Sequence, residues 1–234
     1  MAKLPILMYH HVISGEGEGL TISVKNLEEQ FKYLSENEFQ SHHLADLMDL
    51  TDLPKGKNIV ITFDDCYLSH KEIALPLLQK YNLKATFFAP LKFLGNKDGW
   101  NTGELPMLSV AQLKALDRET IELGFHSFQH LAYSELSAAQ VEADTRRCIE
   151  FIEEHDLKFS PVLAYPYGKF PRKDPENKTF NKILAQNGIQ YGLRVGNRIN
   201  DFPFKNPYQI QRIDIKGEWS LSKFKRKIKF GKYL

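Results

Sequence analysis

The sequence has few of the features that mark secreted, membrane-spanning or nucleic-acid-binding proteins. It contains two cysteines, Cys66 and Cys148, which are too few for a disulfide framework and indicate free thiols. No stretch approaches the roughly 18 apolar residues that a membrane-spanning helix needs. The net charge of +2 gives no reason to expect a nucleic-acid partner. The amino terminus lacks a charged-then-apolar leader, so we expect a cytoplasmic protein.

Linker-like breaks and internal repeats are also absent from the 234 residues. Of these residues 42% are hydrophobic, which is enough for a sizeable buried core. Strand and helix patterns alternate along the chain, and this alternation is typical of parallel strands wrapped by helices. We therefore predict a single domain, residues 1–234, with an α/β fold.

The number of predicted strands favours a distorted (β/α) barrel of about seven parallel strands over an open sheet. Strands are predicted at 4–9, 38–44, 59–65, 83–89, 120–125, 162–165, 189–195 and 208–215. Helices are predicted at 24–37, 69–81, 109–116, 137–155, 175–187 and 221–230. Two of these helices open on capping-box spacings, Ser109 with Gln112 and Ser137 with Gln140.

Chemically reactive side chains follow several predicted strands at their carboxyl ends, where barrel enzymes collect their catalytic groups. They are His10 and His11, Asp64 and Asp65, His126, and the turn Pro166-Tyr167-Gly168. Randomly scattered histidines would rarely coincide with strand ends in this way. We interpret these positions as a candidate active site.

Asp64 and Asp65 are adjacent carboxylates at the end of a strand of apolar, β-branched residues. Two like charges this close resist joint ionisation. A divalent cation on one carboxylate would relieve the repulsion and leave the other free for proton chemistry. Taken alone, the pair also fits a helix N-cap followed by an acid in the first turn.

His126-Ser127-Phe128-Gln129-His130 has an H-x-x-x-H spacing. On a helical turn, both imidazoles lie on one face and can bind the same ion. With a nearby aspartate they form an Asp-His-His set that suits zinc or a similar divalent metal and leaves a position open for water. The alternative is a pair of unrelated polar residues at a helix start.

Three motifs follow one another along the chain, Thr62-Phe63-Asp64-Asp65, His126-Ser127-x-x-His130 and Tyr165-Pro166-Tyr167-Gly168. They resemble the successive motifs of the polysaccharide deacetylases (NodB-homology domain, carbohydrate esterase family 4). The resemblance runs through nearly the whole chain. The opening Met8-Tyr9-His10-His11-Val12 is similar to the branch that includes the poly-N-acetylglucosamine deacetylases, in which the acid histidine has moved to the amino terminus.

The resemblance implies a barrel of the NodB-homology type and a metal-dependent carbohydrate N-deacetylase. It also implies that zinc or another divalent transition metal is held by Asp65, His126 and His130. In the same way it implies that Asp64 is the general base, His10 the general acid and the Tyr167 backbone N–H an oxyanion donor. This chemistry is coherent, since zinc lowers the pKa of its bound water to about 7 and an amine leaving group needs a proton.

We expect the substrate to be an N-acetylated sugar, either in a polysaccharide of the cell envelope or on a lipid carrier. The alternatives are an O-acetyl esterase with the same machinery and a catalytically silent glycan-binding module. A separate base and acid, Asp64 and His10, argue against a silent module. His11 is the alternative acid, and we prefer His10 because it directly follows the tyrosine, as in the family pattern.

Three positions depart from that pattern. Ala164 stands where the third motif usually carries an arginine that orients the base, so Asp64 lacks its usual support. Cys66 replaces the glycine that usually follows the aspartate pair, and is either a metal ligand or, as we favour, a small residue in a tight turn. Ile210-Gln211-Arg212 replaces a Leu-x-His motif, which is consistent with His10 as the acid.

The remaining histidines are given structural roles. His42 and His43 lie in a predicted strand, so at least one should be half-buried. His70 and His155 lie on predicted helices and are expected to face solvent.

Two further features leave alternatives open. In the long loop 90–108, Trp100, Phe93 and Leu94 form either a wall on which a sugar stacks or the loop's own anchor. The segment 220–234 is a basic amphipathic helix that either contacts an anionic membrane or, as we favour, packs its apolar stripe on the barrel. A membrane contact would suit a lipid-linked amino sugar as substrate.

Overall fold

The structure, a computed structural model, describes residues 1–232. Within them the strands are β1 Ala2–Leu4, β2 Ile6–Tyr9, β3 Val12–Ile13, β4 Ile22–Ser23, β5 Phe39–His42, β6 Lys57–Asp64, β7 Ala85–Ala89, β8 Ile121–Phe125, β9 Val162–Ala164, β10 Tyr191–Val195, β11 Asn200–Phe202 and β12 Ile210–Asp214. The α-helices are α1 Val24–Glu36, α2 Leu75–Lys80, α3 Val110–Lys114, α4 Ala138–Glu154, α5 Glu176–Gln186 and α6 Leu221–Phe230. Both predicted capping boxes form, at the starts of α3 and α4.

Seven parallel strands close a barrel within the described residues, in the order β2, β12, β10, β9, β8, β7 and β6. The barrel closes because β6 pairs back to β2, with Phe63 beside Tyr9. β5 runs parallel to the beginning of β6 and extends the sheet there. The predicted (β/α) barrel of about seven parallel strands is confirmed.

The residues of β6 alternate between two cores. Ile59, Ile61 and Phe63 belong to the large core between the barrel and its helices. Val60 belongs to a second cluster, with members from β2, β7, β9, β10 and β12, that fills the barrel interior. Because successive side chains of a strand point to opposite faces, Thr62 and Asp64 point inward with Val60.

The same alternation applies to β12. Ile210 belongs to the interior cluster and Ile213 to the outer core. Arg212 shares the face of Ile210, so its side chain also points into the barrel. The interior therefore carries apolar residues at its base and charged residues toward its carboxyl end.

Two predicted elements are divided. The strand predicted at 4–9 breaks at Pro5, which has no N–H to donate, so β1 pairs antiparallel with β11 and only β2 joins the barrel. The helix predicted at 69–81 begins as the π-helix His70–Ala74 before α2. Neither β3, β4 nor β11 was predicted, because two or three residues carry no periodicity that a pattern can detect.

The basic helix α6 packs its apolar stripe on the rest of the protein, through buried Phe224 and Ile228. This is the arrangement that the sequence analysis favoured over a membrane-bound apolar face. The predicted segment 220–234 also includes Tyr233 and Leu234, which lie outside the described residues. Among residues 1–232, no helix has both the length and the apolar character needed to cross a bilayer.

Candidate active site

A cleft of about 440 Å³ opens at the carboxyl ends of the barrel strands. It brings together residues predicted from the strand ends and from the H-x-x-x-H spacing, which are His10, His11, Asp64, Asp65, His126, His130 and Tyr167. A larger cavity of about 760 Å³ lies between α4 and α5 and contains none of these residues. We therefore place the candidate site in the smaller cleft.

Asp65, His126 and His130 converge in this cleft, and all three are buried. The Asp65 Oδ1 atom lies 3.2 Å from Nε2 of His130 and 3.5 Å from Nε2 of His126. Among the described residues, this buried oxygen has no partner at hydrogen-bonding geometry. An unpartnered buried carboxylate oxygen is costly, and a cation between the three side chains would remove that cost. The donor set therefore fits zinc or a similar divalent metal.

In both histidines the other ring nitrogen, Nδ1, contacts a protein oxygen. Nδ1 of His126 lies 2.7 Å from the Ala164 carbonyl oxygen and must donate to it, which leaves Nε2 as a free lone pair. Nδ1 of His130 lies 3.1 Å from the Tyr167 hydroxyl. Contacts of this kind fix the ring orientation of metal-binding histidines. Burial also lowers the pKa of His126 to about 4, so it is a neutral imidazole at neutral pH.

The segment from His126 to His130 is a loop and not the predicted helical turn. Ser127 and His130 take left-handed φ values of 64° and 56°. Asp144, on α4, holds this loop by accepting the Phe128 backbone N–H at 3.0 Å and the Ser127 hydroxyl at 3.1 Å. The two histidines thus meet because the chain bends sharply, and not because of helical periodicity.

Asp64 is held by a buried arginine. Two nitrogens of the Arg212 guanidinium donate to its two carboxylate oxygens, at 2.5 and 2.7 Å, and the Thr62 hydroxyl accepts a further bond at 3.2 Å. Burial raises the pKa of Asp64, but Arg212 and His126 outweigh it and place the pKa below its usual range. Asp64 is therefore ionised and fixed in orientation.

Arg212 supplies the support that Ala164 cannot give, and sequence reasoning assigned it no role. Arg212 is completely buried. A signal was present, because Arg212 is two residues after Ile210 and so lies on the interior face of its strand. A charged side chain inside a barrel needs a buried partner of opposite charge, and Asp64 is the carboxylate on the facing strand end.

His10 lies beside Asp64 and His11 lies against the cleft wall. Nε2 of His10 is 3.8 Å from Oδ2 of Asp64, and its buried Nδ1 has no hydrogen-bond partner among the described residues. The His11 ring packs edge-on against Tyr67, with 5.3 Å between ring centres. This placement favours His10 over His11 as the group that works with Asp64.

The prediction that His70 faces solvent is wrong. His70 is completely buried, and its Nε2 lies 2.9 Å from the His10 carbonyl oxygen, to which it donates. Burial lowers the pKa of His70 to about 3, so the ring is neutral. The π-helix that begins at His70 changes the face on which it lies relative to the predicted α-helix.

The three remaining histidines are His42 and His43, of which at least one is expected to be half-buried, and His155, which is expected to face solvent. His42, the last residue of β5, is half-buried, and the next residue, His43, is buried, so the prediction that at least one of them is half-buried is confirmed. His155 is half-buried, and its ring stacks on Phe151 with 4.1 Å between ring centres. The prediction that His155 faces solvent is therefore met only in part.

The turn after β9 brings Tyr167 to the cleft. Tyr167 has a left-handed φ of 59°, and its ring packs edge-on against His130 with 4.8 Å between centres. Gly168 follows with a φ of 63°. A Cβ atom on Gly168 would lie 2.8 Å from the Val195 backbone nitrogen, so this position requires glycine.

Cys66 forms the turn that follows Asp65. It is completely buried and has a φ of 51°, which explains why glycine is usual at this position in the family. Its thiol does not belong to the metal-binding group found among the described residues, and burial raises its pKa. These observations support the small turn residue over the metal ligand.

The aromatic residues of the loop 90–108 anchor it at the edge of the cleft, which is one of the two predicted alternatives, and the sugar-stacking wall stays a prediction. Trp100 stacks on His130, with 4.4 Å between ring centres and 22° between planes, and lines the cleft. Phe93 packs edge-on against Trp100, and Leu94 is buried. Buried Asp98 fixes the loop by accepting the Leu105 backbone N–H at 2.9 Å.

The fold and this cleft define an α/β barrel with a carboxylate–dihistidine group and a separate arginine-held carboxylate at its carboxyl end. The family model for polysaccharide deacetylase matches residues 52–192 of the chain. The match covers more than half of the sequence, and the chain belongs to the polysaccharide deacetylase family.

Two relatives illustrate the similarity in sequence. The Bacillus subtilis (strain 168) protein named "Putative polysaccharide deacetylase YxkH" is 30% identical over 195 residues, which are 82% of this chain and 64% of the relative. A Staphylococcus aureus poly-beta-1,6-N-acetyl-D-glucosamine N-deacetylase is 26% identical over 219 residues, 88% of this chain and 71% of the relative. The chain thus spans less than two thirds of the first relative's length.

Solved structures show the same fold at lower identity. The Streptococcus pyogenes deacetylase PplD in complex with acetate has a TM-score of 0.79 and 19% identity, over 97% of this chain and 98% of that one. IcaB from Ammonifex degensii has a TM-score of 0.78 and 22% identity, over 98% of this chain and 97% of that one.

The Arg212–Asp64 pair can be tested by stability alone, with a double-mutant cycle in the presence of a chelator. We expect Arg212→Met to lower the free energy of unfolding by about 3–5 kcal/mol, since it leaves Asp64 as a buried unpaired charge. In an Asp64→Asn background the same change should cost much less. Urea unfolding of the parent protein, the two single variants and the double variant measures the loss of unfolding free energy in each background. Exposed Arg146→Met is the control, and its unfolding free energy should stay within about 0.5 kcal/mol of the parent value. Equal costs in both backgrounds would show that the pair is not coupled.

Proposed function

We propose that this protein is a metal-dependent hydrolase that removes N-acetyl groups from an acetylated amino sugar. The observation that carries the proposal is the division of the adjacent carboxylates, with Asp64 paired to Arg212 and Asp65 placed beside His126 and His130. The name of the Staphylococcus aureus relative, a poly-beta-1,6-N-acetyl-D-glucosamine N-deacetylase, supports the substrate class.

Asp65, His126 and His130 are the residues that would hold the metal. When bound, a divalent metal supplies a Lewis acid that polarises the acetyl carbonyl and makes water acidic near neutrality. Zinc is the metal that best suits one carboxylate and two imidazoles.

Asp64 is proposed as the general base. Its carboxylate accepts two hydrogen bonds from Arg212, so it cannot rotate, and it lies at the edge of the cleft shared with His10. A fixed, ionised carboxylate can accept a proton from the attacking water without reorganising. Its pKa is below the usual range, so it is available as a base at neutral pH.

His10 is proposed as the general acid that protonates the departing amine. Its ring faces the cleft on the same side as Asp64 Oδ2, at 3.8 Å. The His70 side chain donates to the His10 backbone carbonyl and supports this position from behind. The Tyr167 backbone N–H is proposed to stabilise the oxyanion, and the left-handed turn at Tyr167 and Gly168 supports this role by bringing that backbone to the cleft.

Four further properties of the protein stay predictions. These are a single catalytic domain over residues 1–234, a cytoplasmic location, a lipid-linked substrate and a membrane contact through 220–234. Because Phe224 and Ile228 are buried, such a contact would depend on the exposed lysines of α6 and not on its apolar stripe.

The two carboxylates should separate metal binding from turnover. We expect Asp65→Ala to lose the metal, because it removes a ligand, while Asp64→Asn keeps the metal and loses about 10²–10⁴-fold in acetate release. Metal content by mass spectrometry and acetate release from N-acetylglucosamine oligomers, with and without chelator, measure both effects. Full metal retention by Asp65→Ala would contradict the ligand assignment, and no acetate from any N-acetylated sugar would favour a binding module.

The acid role of His10 predicts a dependence on the leaving group. We expect His10→Ala to lose about 10²-fold or more on an N-acetylated sugar but little on p-nitrophenyl acetate, whose phenolate leaves without a proton. Initial rates on the two substrates give the ratio of the rate lost on the N-acetylated sugar to the rate lost on p-nitrophenyl acetate, and His11→Ala is the matched control. Equal rate losses on both substrates, or a larger ratio for His11→Ala than for His10→Ala, would overturn the assignment. Acetate release from O-acetyl sugars alone would favour the esterase alternative.

A further inference from the structure

A second groove of about 420 Å³ adjoins the candidate active site. It lies between the carboxyl ends of β10 and β12 and the helix α6, and contains residues from each. Val195, Asp214 and Lys216 line both this groove and the catalytic cleft. A ligand can therefore extend from one into the other.

The groove is strongly cationic. Its charged lining residues are Arg194, Asp214, Lys216, Lys227 and Lys232. The carboxylate among them, Asp214, is already paired with Lys216 at 2.6 Å. Within the part of the chain that the structure describes, Arg194 and Lys227 have no carboxylate within 4.0 Å.

Two arginines outside the groove lining, Arg172 and Arg198, add positive charge in the neighbourhood of Arg194. The guanidinium groups of Arg194 and Arg172 both lie 5.7 Å from the centre of the Phe170 ring. Burial lowers the pKa of Arg194, and the positive charges of Arg172 and Arg198 lower it further. Neither Arg172 nor Arg198 forms an ion pair with a described carboxylate. The cations that line the groove, Arg194, Lys227 and Lys232, therefore lie in a region of excess positive charge, which an anion bound in the groove would offset.

The acetamide of a sugar is neutral and cannot offset this positive charge. A phosphate group carries up to two negative charges and several acceptor oxygens, so it can bind a guanidinium and ammonium groups together. A sugar carboxylate brings one charge and a planar geometry, which suits fewer of these donors at once. The composition of the groove therefore favours phosphate.

We propose that this groove binds the phosphate of a phosphorylated amino sugar whose acetamide group lies in the neighbouring catalytic cleft. The proposal rests on the proposed function for the sugar, whereas the phosphate site depends only on the groove. A soluble sugar phosphate and a lipid-linked sugar phosphate present the same chemistry to it.

The test is a binding measurement that needs no turnover. Metal-loaded Asp64→Asn protein of residues 1–234 is titrated by calorimetry with N-acetylglucosamine 1-phosphate and with N-acetylglucosamine. In this background, Arg194→Gln with Lys227→Gln removes two groove charges. The matched control is Lys225→Gln with Lys229→Gln, which removes two exposed charges from α6 outside the groove.

We expect the sugar phosphate to bind about tenfold or more tightly than the neutral sugar, as is usual for hydrogen bonds to charged groups. That preference should disappear in the groove variant and stay within about twofold in the control. If the groove variant still preferred the sugar phosphate over the neutral sugar as strongly as the parent protein does, the phosphate would bind elsewhere, for example at the metal, and the proposal would be overturned. No preference in the parent protein would overturn it as well.

A second arm separates the two sources of phosphate. Vesicles carrying polyprenyl-diphosphate-linked N-acetylglucosamine are compared with vesicles of phosphatidylglycerol in a flotation assay. Groove-dependent flotation with the first vesicles only, together with binding of the soluble phosphate, supports the proposal and favours the lipid-linked source. Groove-dependent binding of phosphatidylglycerol without any binding of the sugar phosphate would overturn it, because the groove would then be a membrane contact.

The outcomes also separate this inference from the proposed function. Acetate release from neutral N-acetylglucosamine oligomers by the unmodified protein tests the function alone. If no acetate is released but the sugar phosphate still binds through the groove, the function fails and the phosphate site stands. If acetate is released and phosphate binding does not depend on the groove, only the further inference fails.

Discussion

The ion pair between Asp64 and Arg212 is the interaction on which the site depends. Two adjacent carboxylates at the end of a buried strand would repel each other. The Arg212 guanidinium compensates the negative charge of Asp64 and so reduces this repulsion. Arg212 satisfies both oxygens of Asp64 inside the barrel. Asp65 is then left with an unpartnered oxygen that faces two imidazoles. The proposed roles of Asp64 as base and Asp65 as metal ligand follow from which of the two carboxylates Arg212 holds.

The backbone makes this division geometrically possible. Asp64 is still part of the strand and points inward, while Asp65 has a φ of 77° and leaves it. Left-handed residues recur at the other loops of the cleft, at Ser127, His130 and Tyr167. Such conformations cost about 1–3 kcal/mol each and persist only where the surrounding contacts impose them. Here Asp144 and the neighbouring rings supply those contacts.

The barrel and most of the site were predictable, because they depend on local patterns. Strand ends locate His10, Asp64 and Asp65, and the motif spacing locates the two histidines of the loop. The strand alternation places Arg212 inside the barrel, but its partner Asp64 is 148 residues away in sequence, and no local pattern identifies that pairing. The buried position of His70 was missed because a π-helix changes the face that a helical pattern assigns. Long-range ion pairs and irregular backbone are where sequence reasoning failed, and both occur at the site.

The two adjacent carboxylates are proposed to have different partners, Asp65 a metal and Asp64 an arginine. Anomalous X-ray diffraction from crystals of the zinc-loaded protein distinguishes these partners. We expect one ion bound by Asp65, His126 and His130, with Asp64 still paired to Arg212. An ion that bridges Asp64 and Asp65, with Arg212 displaced, would show that the carboxylates share one partner and that the proposed roles are wrong.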